Sequence, residues 1–268
     1  AVLANRFILK IFRRVSEGEN PDLEVGRYLT EQMPVACVPQ VAGALEYHAH
    51  DGDRFTLAVL HEFVPNQGDA WVYTLDELGR YLERIAAERA SSPPPADALP
   101  VGVSLLDLAK LKPPAIAQEL IGPYLQSAEL LGKRTAELHL ALASDTEDPA
   151  FKREPFSKLY QRSLYQAMRA EARRTLALLR RQQSTLHDAV ADKATLLLKR
   201  EGDLVARYQG MLTNRIEAQR TRCHGDYHLG QVLWTGKDFV IVDFEGEPAR
   251  SIGATGWVLQ PGNARRCE

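Results

Sequence analysis

The sequence has few cysteines, and none of them forms a recognisable pair. Its 268 residues include Cys37, Cys223 and Cys267, with no CxxC spacing among them. An odd number of scattered cysteines argues against a disulfide framework and against a zinc site of the cysteine-rich kind. This usage is typical of a reducing compartment, so we expect a cytoplasmic protein.

The sequence also lacks an excess of charge of one sign. Lysine plus arginine number 33 and aspartate plus glutamate number 35, which gives a formal net charge of −2. A protein that holds a nucleic-acid backbone needs a basic surface. No apolar run approaches the length of a membrane span, and no secretory signal opens the chain. We therefore expect neither nucleic acid nor a membrane as a partner.

The first part of the chain predicts a small α+β region. Residues 6–12 (RFILKIF) have the composition of a strand. Asn20 followed by Pro21 is a typical helix start, because asparagine caps a helix and proline fits its first turn. Two further runs, 41–47 and 55–62, are predicted strands.

The chain beyond residue 66 is mainly helical in pattern. Thr74 and Glu77 form a capping box, which predicts a helix whose Leu75, Leu78, Leu82 and Ile85 share one face. A second apolar stripe comprises Leu131, Thr135, Leu138 and Leu142. Helical patterns run over 163–198 and on to about Gln219, and a hairpin is predicted from 231–234 and 239–244.

These patterns predict an α+β fold with two lobes. Residues 1–66 form a small sheet-containing N-lobe and hinge, and residues 67–250 form a mostly helical C-lobe with a late hairpin. Residues 251–268 show no periodicity and are predicted to be an atypical tail. The chain enters a strand pattern without a starting methionine or lead-in, so we expect a fragment with a truncated N-lobe.

The most informative segment is 223–248, CHGDYHLGQVLWTGKDFVIVDFEGEP. Phosphoryl transfer from ATP needs a carboxylate that orients the attacking hydroxyl and oxygen ligands that hold Mg²⁺ on the phosphates. Asp226 is the candidate catalytic base. Gln231 and Asp243 lie at the two ends of the predicted hairpin and are candidate metal ligands.

Two alternatives apply to this segment. Its aspartates could be ordinary loop and strand-end residues, although their combined spacing favours the kinase interpretation. His224, Asp226 and His228 also form an H-x-D-x-H cluster that could bind zinc. The other histidines form no second metal-spaced cluster, so His224 is better interpreted as bracing the loop.

The N-terminal region offers candidate nucleotide-binding residues. Lys10 lies inside a strand, where a lysine is costly unless it is paired or ligand-bound, and Glu24 follows one turn into the next helix. Such a pair positions phosphate oxygens in kinases. Alternatively, Lys10 extends to water from an edge strand, and Glu24 is a favourable charge in a first helical turn.

The linker between the predicted lobes is a candidate adenine site. Backbone groups of Glu62 and Val64 are the candidates for contact with adenine. Trp71 either stacks on a sugar ring or packs between the lobes.

Several motifs resemble the aminoglycoside-phosphotransferase-like branch of the protein-kinase-like fold, and more narrowly the bacterial maltokinases. They are FVPNQGDAW, YTLDELGRYLE, LGKRTAELHLAL, HGDYHLGQVL and VIVDFEGEPAR, and the similarity spans about residues 7–250. The resemblance implies Asp226 as base, Gln231 and Asp243 as metal ligands, and Lys10 with Glu24 as the phosphate-positioning pair. No Gly-rich loop precedes Lys10, and the helices expected after residue 250 are missing.

The resemblance implies an ATP- and Mg²⁺-dependent enzyme that converts maltose to maltose 1-phosphate for α-glucan synthesis. Maltokinases also occur fused to trehalose synthase, which is therefore a candidate partner. The alternatives are another small-molecule kinase of the same fold and a non-catalytic nucleotide- or sugar-binding remnant.

Overall fold

The computed structural model describes residues 1–50, 52–89, 103–246 and 257–261. The described residues form two compact units, one within 1–144 and 222–257 and the other within 145–221 and 258–268. The N-terminal region contains a β-sheet and most of the later chain is helical, as the sequence predicts for an α+β fold. None of the described helices combines the length and the apolar character needed to cross a membrane.

The first unit begins with a four-stranded antiparallel sheet in the order β1-β2-β4-β3. The strands are β1 (Val2–Leu3), β2 (Phe7–Ile11), β3 (Val41–His48) and β4 (Arg54–Glu62). Strands β2, β3 and β4 confirm the predicted runs, and the two-residue β1 was not predicted. Lys10 lies opposite Val59 in the register of β2 and β4, so the lysine belongs to an inner strand of the sheet.

Helix α1 (Pro21–Glu31) starts where the sequence predicts. The Asn20 side chain accepts a hydrogen bond from the Asp22 N–H at 2.9 Å, and Pro21 occupies the first turn. The Asn20 N–H in turn donates to Thr56 Oγ1 at 3.0 Å, which ties the cap to β4. The first turn of α1 is thereby fixed against the sheet, and with it the acidic residues Asp22 and Glu24.

Four helices and a hairpin complete the described part of the first unit. They are α2 (Ala70–Arg89), α3 (Leu105–Leu108), α4 (Ala115–Ile121), α5 (Tyr124–Leu142) and the paired strands β7 (Val232–Trp234) and β8 (Phe239–Ile241). The hairpin is confirmed, with strands slightly shorter than predicted. The stripe on α5 is also confirmed, since Leu138 and Leu142 are fully buried.

The predicted start of α2 is wrong. The helix begins at Ala70, one turn before the Thr74–Glu77 capping box, because Asp69 Oδ1 accepts a hydrogen bond from the Val72 N–H at 2.9 Å. The predicted apolar face is not buried, since Leu75, Leu78 and Leu82 are each about half exposed.

The hairpin is anchored at both ends of its strands. The Arg134 guanidinium of α5 donates two hydrogen bonds to the Asp238 carboxylate, at 2.8 and 2.6 Å. The Trp234 N–H donates to the Gly68 carbonyl at 2.9 Å, and the Ile241 N–H donates to the Cys37 carbonyl at 2.7 Å. These contacts fix the segment that carries Asp243 relative to the rest of the unit.

The second unit contains α6 (Lys158–Gln182), α7 (Asp188–Lys199), α8 (Glu201–Gln209) and most of a sheet of β5 (Glu154–Pro155), β6 (Ala218–Arg222) and β9 (Trp257–Pro261). Arg222, the last residue of β6, and Trp257, the first residue of β9, belong to the first unit. The predicted continuous helix over 163–198 is wrong. It breaks at 183–185, where the Thr185 hydroxyl donates to the Gln182 carbonyl and competes with the helical hydrogen bonds.

Two further predictions for this part of the chain need correction. The last helix ends at Gln209 rather than near Gln219, and Ala218 begins a strand. The tail was expected to have no strand, yet residues 257–261 form β9. Residues 247–256 and 262–268 lie outside the described residues, so the predicted boundary at 250 and most of the tail remain predictions.

We predict that Asn20→Ala lowers the free energy of unfolding by about 1 kcal/mol, because the Asp22 N–H loses its capping acceptor. Urea denaturation followed by circular dichroism measures this change. Asn20→Ser is the matched control, since serine also caps, and it should lie within a few tenths of a kcal/mol of the native value. Equal stability of the alanine and native proteins would contradict the assigned cap.

Candidate active site

A lysine on β2 meets three carboxylates in the first unit. Lys10 Nζ lies 2.5 Å from Asp243 Oδ1, 2.5 Å from Glu245 Oε1 and 3.1 Å from Asp22 Oδ2. Lys10 and Asp243 are 233 residues apart in the sequence. The structure therefore brings the predicted strand lysine to the predicted metal-binding aspartate. We call Lys10, Asp22, Asp243 and Glu245 the ion cluster.

Asp22 joins the elements that meet at the ion cluster. Its side chain is 2% exposed, and Oδ1 accepts a hydrogen bond from the Phe244 N–H at 3.0 Å. Its Oδ2 lies 3.4 Å from His61 Nε2 on β4. One carboxylate of α1 thus contacts strand β2, strand β4 and the loop that follows β8.

Both central groups of the ion cluster stay charged. Burial by itself would lower the pKa of Lys10, but the Asp22 charge and hydrogen bonds with Asp243 and Glu245 raise that pKa above its ordinary value. Burial by itself would raise the pKa of Asp22, but the hydrogen bond with His61 and the Lys10 charge lower that pKa well below its usual range. The pair is therefore a fixed ion pair at neutral pH.

The predicted pairing of Lys10 with Glu24 is corrected by the structure. Asp22, two residues earlier, makes the contact with Lys10. Glu24 instead accepts a hydrogen bond from the Arg222 guanidinium. Side chains two positions apart on a helix point to different sides of it, so Asp22 and Glu24 contact different segments of the chain.

His224 braces the loop that contains Asp226. The ring is almost fully buried, Nε2 bonds to the Val242 carbonyl at 2.9 Å, and Nδ1 accepts from the Asp226 N–H at 3.4 Å. Both ring nitrogens are thus used by backbone groups, which favours the bracing role over the zinc alternative. Among the described residues, the metal-spaced set of acidic, histidine and cysteine side chains is Asp22, Asp243 and Glu245.

Three carboxylates act on the His224 ring, and two of them belong to the predicted site residues Asp226 and Asp243. Burial lowers the pKa of His224, while the charges of Asp243, Asp226 and Asp22 act in the opposite direction. All three carboxylates are therefore close enough to influence one ring. His228, the other histidine of the motif, has Nε2 3.9 Å from Asp226 Oδ2.

The loop with Asp226 and the loop with Asp243 touch each other through two glycines. Gly225 has a positive φ of 90°, and a Cβ added there would lie 3.0 Å from the Gly246 Cα. Asp243 itself has a φ of 70°, in a region that non-glycine residues seldom adopt. Backbone strain of this kind is concentrated at functional sites, and here it falls on the predicted metal ligand.

Gln231 lies beside Asp243 through the backbone. The Gln231 carbonyl accepts a hydrogen bond from the Val242 N–H at 3.0 Å, and the Gln231 N–H donates to the His228 carbonyl at 2.9 Å. The hairpin therefore brings the two ends together as predicted, with Gln231 next to the residue that precedes Asp243. The metal-binding role of Gln231 stays a prediction.

Glu62 and Val64 lie at the end of β4 and in the linker that follows. The Glu62 N–H donates to the Gln40 carbonyl at 2.8 Å, and the Val64 carbonyl accepts from Asn66 Nδ2 at 2.9 Å. A cavity of about 350 Å³ opens beside Glu62 and Phe63. The lining of this cavity includes no other predicted site residue, so the cavity lies apart from the ion cluster. The contact of Glu62 and Val64 with adenine stays a prediction.

Comparison with known families decides the membership of the chain. The model described as "APH: Phosphotransferase enzyme family" matches residues 2–246. The chain belongs to this phosphotransferase family. All the predicted site residues fall inside the matched range, and the narrower maltokinase resemblance is a proposal taken up below.

Solved structures of a glucosamine kinase are similar in fold to this chain. The complex with glucosamine, ADP and inorganic phosphate has a TM-score of 0.60 and 20% identity, and the match covers 97% of this chain and 50% of that one. Its crystal form B gives a TM-score of 0.62 with the same identity and coverage. This chain thus spans about half the length of the glucosamine kinase chains.

The donor set of the ion cluster fits a divalent cation. The carboxylate oxygens of Asp22, Asp243 and Glu245 lie within 4.8 Å of one another, and Mg²⁺ prefers oxygen ligands. Three carboxylates against one ammonium leave two negative charges in the cluster. The residues of the ion cluster therefore match Mg²⁺ in ligand type and in charge.

Sequence reasoning missed Asp22 and Glu245 as members of the site. A signal for Asp22 was present, because Asp22, Val25 and Leu29 share the helical spacing of the buried face of α1. An acidic residue on a buried face requires a charged partner. Glu24 lies off that spacing and is only half-buried.

We predict that Asp22→Ala lowers the free energy of unfolding by at least about 3 kcal/mol, because a buried ion pair loses one partner and the Phe244 N–H loses its acceptor. Asp22→Asn should cost about 1–2 kcal/mol less, since its amide oxygen still accepts that hydrogen bond.

Urea denaturation of the whole chain measures both changes. The control is Asp203→Ala, which removes an exposed ion pair with Arg200 and should change stability by less than about 1 kcal/mol. A loss for Asp22→Ala no larger than that of the control would contradict the central position of Asp22.

Proposed function

We propose that this phosphotransferase transfers the γ-phosphoryl group of ATP to the anomeric hydroxyl of maltose and forms maltose 1-phosphate. The observation that carries the proposal is the contact of Lys10 with Asp243 at 2.5 Å. A lysine on a strand close to an aspartate that follows a hairpin is part of the arrangement that kinases use for phosphoryl transfer. The family membership supports the reaction class.

In the proposed reaction, Asp226 accepts the proton of the sugar hydroxyl. The hydroxyl oxygen attacks the γ-phosphorus, the bond from that phosphorus to the β–γ bridging oxygen breaks, and ADP leaves with the bridging oxygen. Lys10 orients the phosphate oxygens, and Asp22 fixes Lys10 through their ion pair. His224 holds the backbone next to Asp226 through its contact with the Asp226 N–H.

Asp243, Gln231 and Glu245 are the proposed holders of Mg²⁺. When bound, Mg²⁺ supplies positive charge that neutralises the phosphate oxygens during transfer. Asp243 contributes a carboxylate from the strained loop, and Gln231 contributes an amide oxygen from the start of the hairpin. With Mg²⁺ and nucleotide bound, Lys10 would donate to phosphate oxygens in place of Asp243 and Glu245, and Asp22 would remain its partner.

Maltose is proposed as acceptor because of the resemblance of the motifs around Asp226 and Asp243 to maltokinases. Trp71 is 54% exposed, so its ring is accessible for stacking on a sugar. The same resemblance makes trehalose synthase a candidate partner and α-glucan synthesis the proposed metabolic context. The backbone of Glu62 and Val64 is proposed to contact adenine.

Glucosamine is the second candidate acceptor. The glucosamine kinase structure contains glucosamine, ADP and inorganic phosphate, and its fold matches 97% of this chain. Both candidates are sugars, and both need a base aimed at a hydroxyl, so Asp226 serves either reaction.

We expect the purified chain to form ADP from Mg·ATP when maltose is supplied, measured in a coupled ADP assay. Trehalose is the matched control, because this disaccharide of the same size has no free anomeric hydroxyl and should give no ADP. Turnover with glucosamine and none with maltose would favour the second candidate. Binding of Mg·ADP without turnover on any sugar would favour a non-catalytic role.

We predict that Asp226→Asn lowers kcat by about 10²- to 10⁴-fold, because the variant cannot accept the hydroxyl proton. The Kd for Mg·ADP, measured by calorimetry, should change little, since Asp226 lies on the acceptor side. Asp203→Asn, a change of an exposed aspartate, is the control and should retain the native kcat. An unchanged kcat in Asp226→Asn would refute the base assignment.

A further inference from the structure

The loop that carries Asp226 is fixed at three points. At its start, the Arg222 guanidinium donates to Glu24 Oε2. In its middle, His224 bonds to the Val242 carbonyl at 2.9 Å. At its end, the Tyr227 and Thr135 hydroxyls are 2.6 Å apart. We call residues 222–228 the catalytic loop.

The contact at the start of the loop is shielded from water. The side chain of Arg222 is 11% exposed and that of Glu24 is 25% exposed. An ion pair removed from water holds its geometry more firmly than a surface pair, and a guanidinium fixes direction as well as charge. The two residues are 198 positions apart in the sequence, so their contact determines where the catalytic loop begins relative to α1.

The contact also lies close to the reacting carboxylate. Arg222 is the last residue of β6, and Asp226 follows four residues later. Gly225, directly before Asp226, has a positive φ and approaches Gly246 closely. Because Gly246 leaves little space beside Gly225, a displacement of Arg222 also displaces the Asp226 carboxylate.

We propose that Glu24 and Arg222 are a positioning pair that aims Asp226 at the acceptor hydroxyl. Glu24 therefore acts on the acceptor side of the reaction, through Arg222 and the catalytic loop, and not on the nucleotide phosphates through Lys10. The role rests on the proposed function, in which Asp226 is the base. It assigns two roles to one turn of α1: Asp22 fixes Lys10, and Glu24 fixes the catalytic loop.

Glu24→Gln and Arg222→Gln test the proposal in the full chain. Each should lower kcat for the sugar by about 10- to 100-fold, because a small displacement of a catalytic base slows the catalysed step by about that factor. Each should leave the Kd for Mg·ADP within about 2-fold, since the ion cluster is intact. The double variant Glu24→Arg/Arg222→Glu should recover at least about 5-fold of kcat over either single variant.

Glu19→Gln is the matched control. Glu19 lies one residue before the cap of α1 and contacts Arg54 at 2.7 Å and Arg27 at 2.8 Å. Its replacement also removes a half-buried ion pair near α1, yet it should leave kcat unchanged. A loss of kcat as large as that of Glu24→Gln would mean that any disturbance of this region acts alike, and would overturn the proposal.

Hydrogen–deuterium exchange separates this proposal from the proposed function. Amides of 223–228 should exchange faster in Glu24→Gln than in the native chain or in Glu19→Gln, even if no sugar is phosphorylated. Unchanged exchange in the catalytic loop would overturn the positioning role. A tenfold weaker Kd for Mg·ADP with unchanged amide exchange in the catalytic loop would instead indicate that Glu24 acts on the nucleotide phosphates. Absence of turnover in the native chain, with faster loop exchange in Glu24→Gln, would refute only the proposed function.

Discussion

The structure depends on one electrostatic constraint, the placement of the Lys10 ammonium on an inner strand of a sheet. A charge there loses hydration and needs carboxylates to replace the lost water. Asp22 supplies one carboxylate from α1, and Asp243 and Glu245 supply two from the loop after β8. The Lys10 ammonium therefore contacts segments from both ends of the region that matches the phosphotransferase family, α1 and the loop after β8.

The same cluster explains why strain collects at Asp243. The φ of 70° directs this residue so that its side chain reaches Lys10 while the next backbone N–H, that of Phe244, reaches Asp22. In an unstrained extension of β8, the Asp243 side chain would lie on one face of the hairpin and the Phe244 N–H in its plane. The strained conformation is stabilised by the contacts that it makes possible, and it leaves two negative charges in excess over Lys10.

Sequence patterns predicted the local elements of this site but missed which acidic residue of α1 contacts Lys10. Periodicity and capping identified β2, α1 and the β7–β8 hairpin, because hydrogen bonds between near neighbours decide those elements. The partner of Lys10 depended on the rotation of α1 against the sheet. The kinase pattern of a strand lysine paired with a helix glutamate favoured Glu24, whereas the buried face of the helix contains Asp22. The helix breaks at 183–185 and after Gln209 were likewise missed, since a threonine hydroxyl and a change to strand outweighed helical propensity there.

In the proposed reaction, the two acidic residues of α1 serve the nucleotide and the acceptor from one helical turn. A two-residue offset turns side chains about 200° around a helix axis, so Asp22 and Glu24 face opposite directions from a common backbone. Asp22 contacts the lysine and the Phe244 N–H, and Glu24 contacts the arginine that begins the catalytic loop. Because Asn20 fixes that backbone to β4, a movement of α1 along the sheet would alter both contacts together. The position of α1 therefore couples the nucleotide side of the proposed site to its acceptor side.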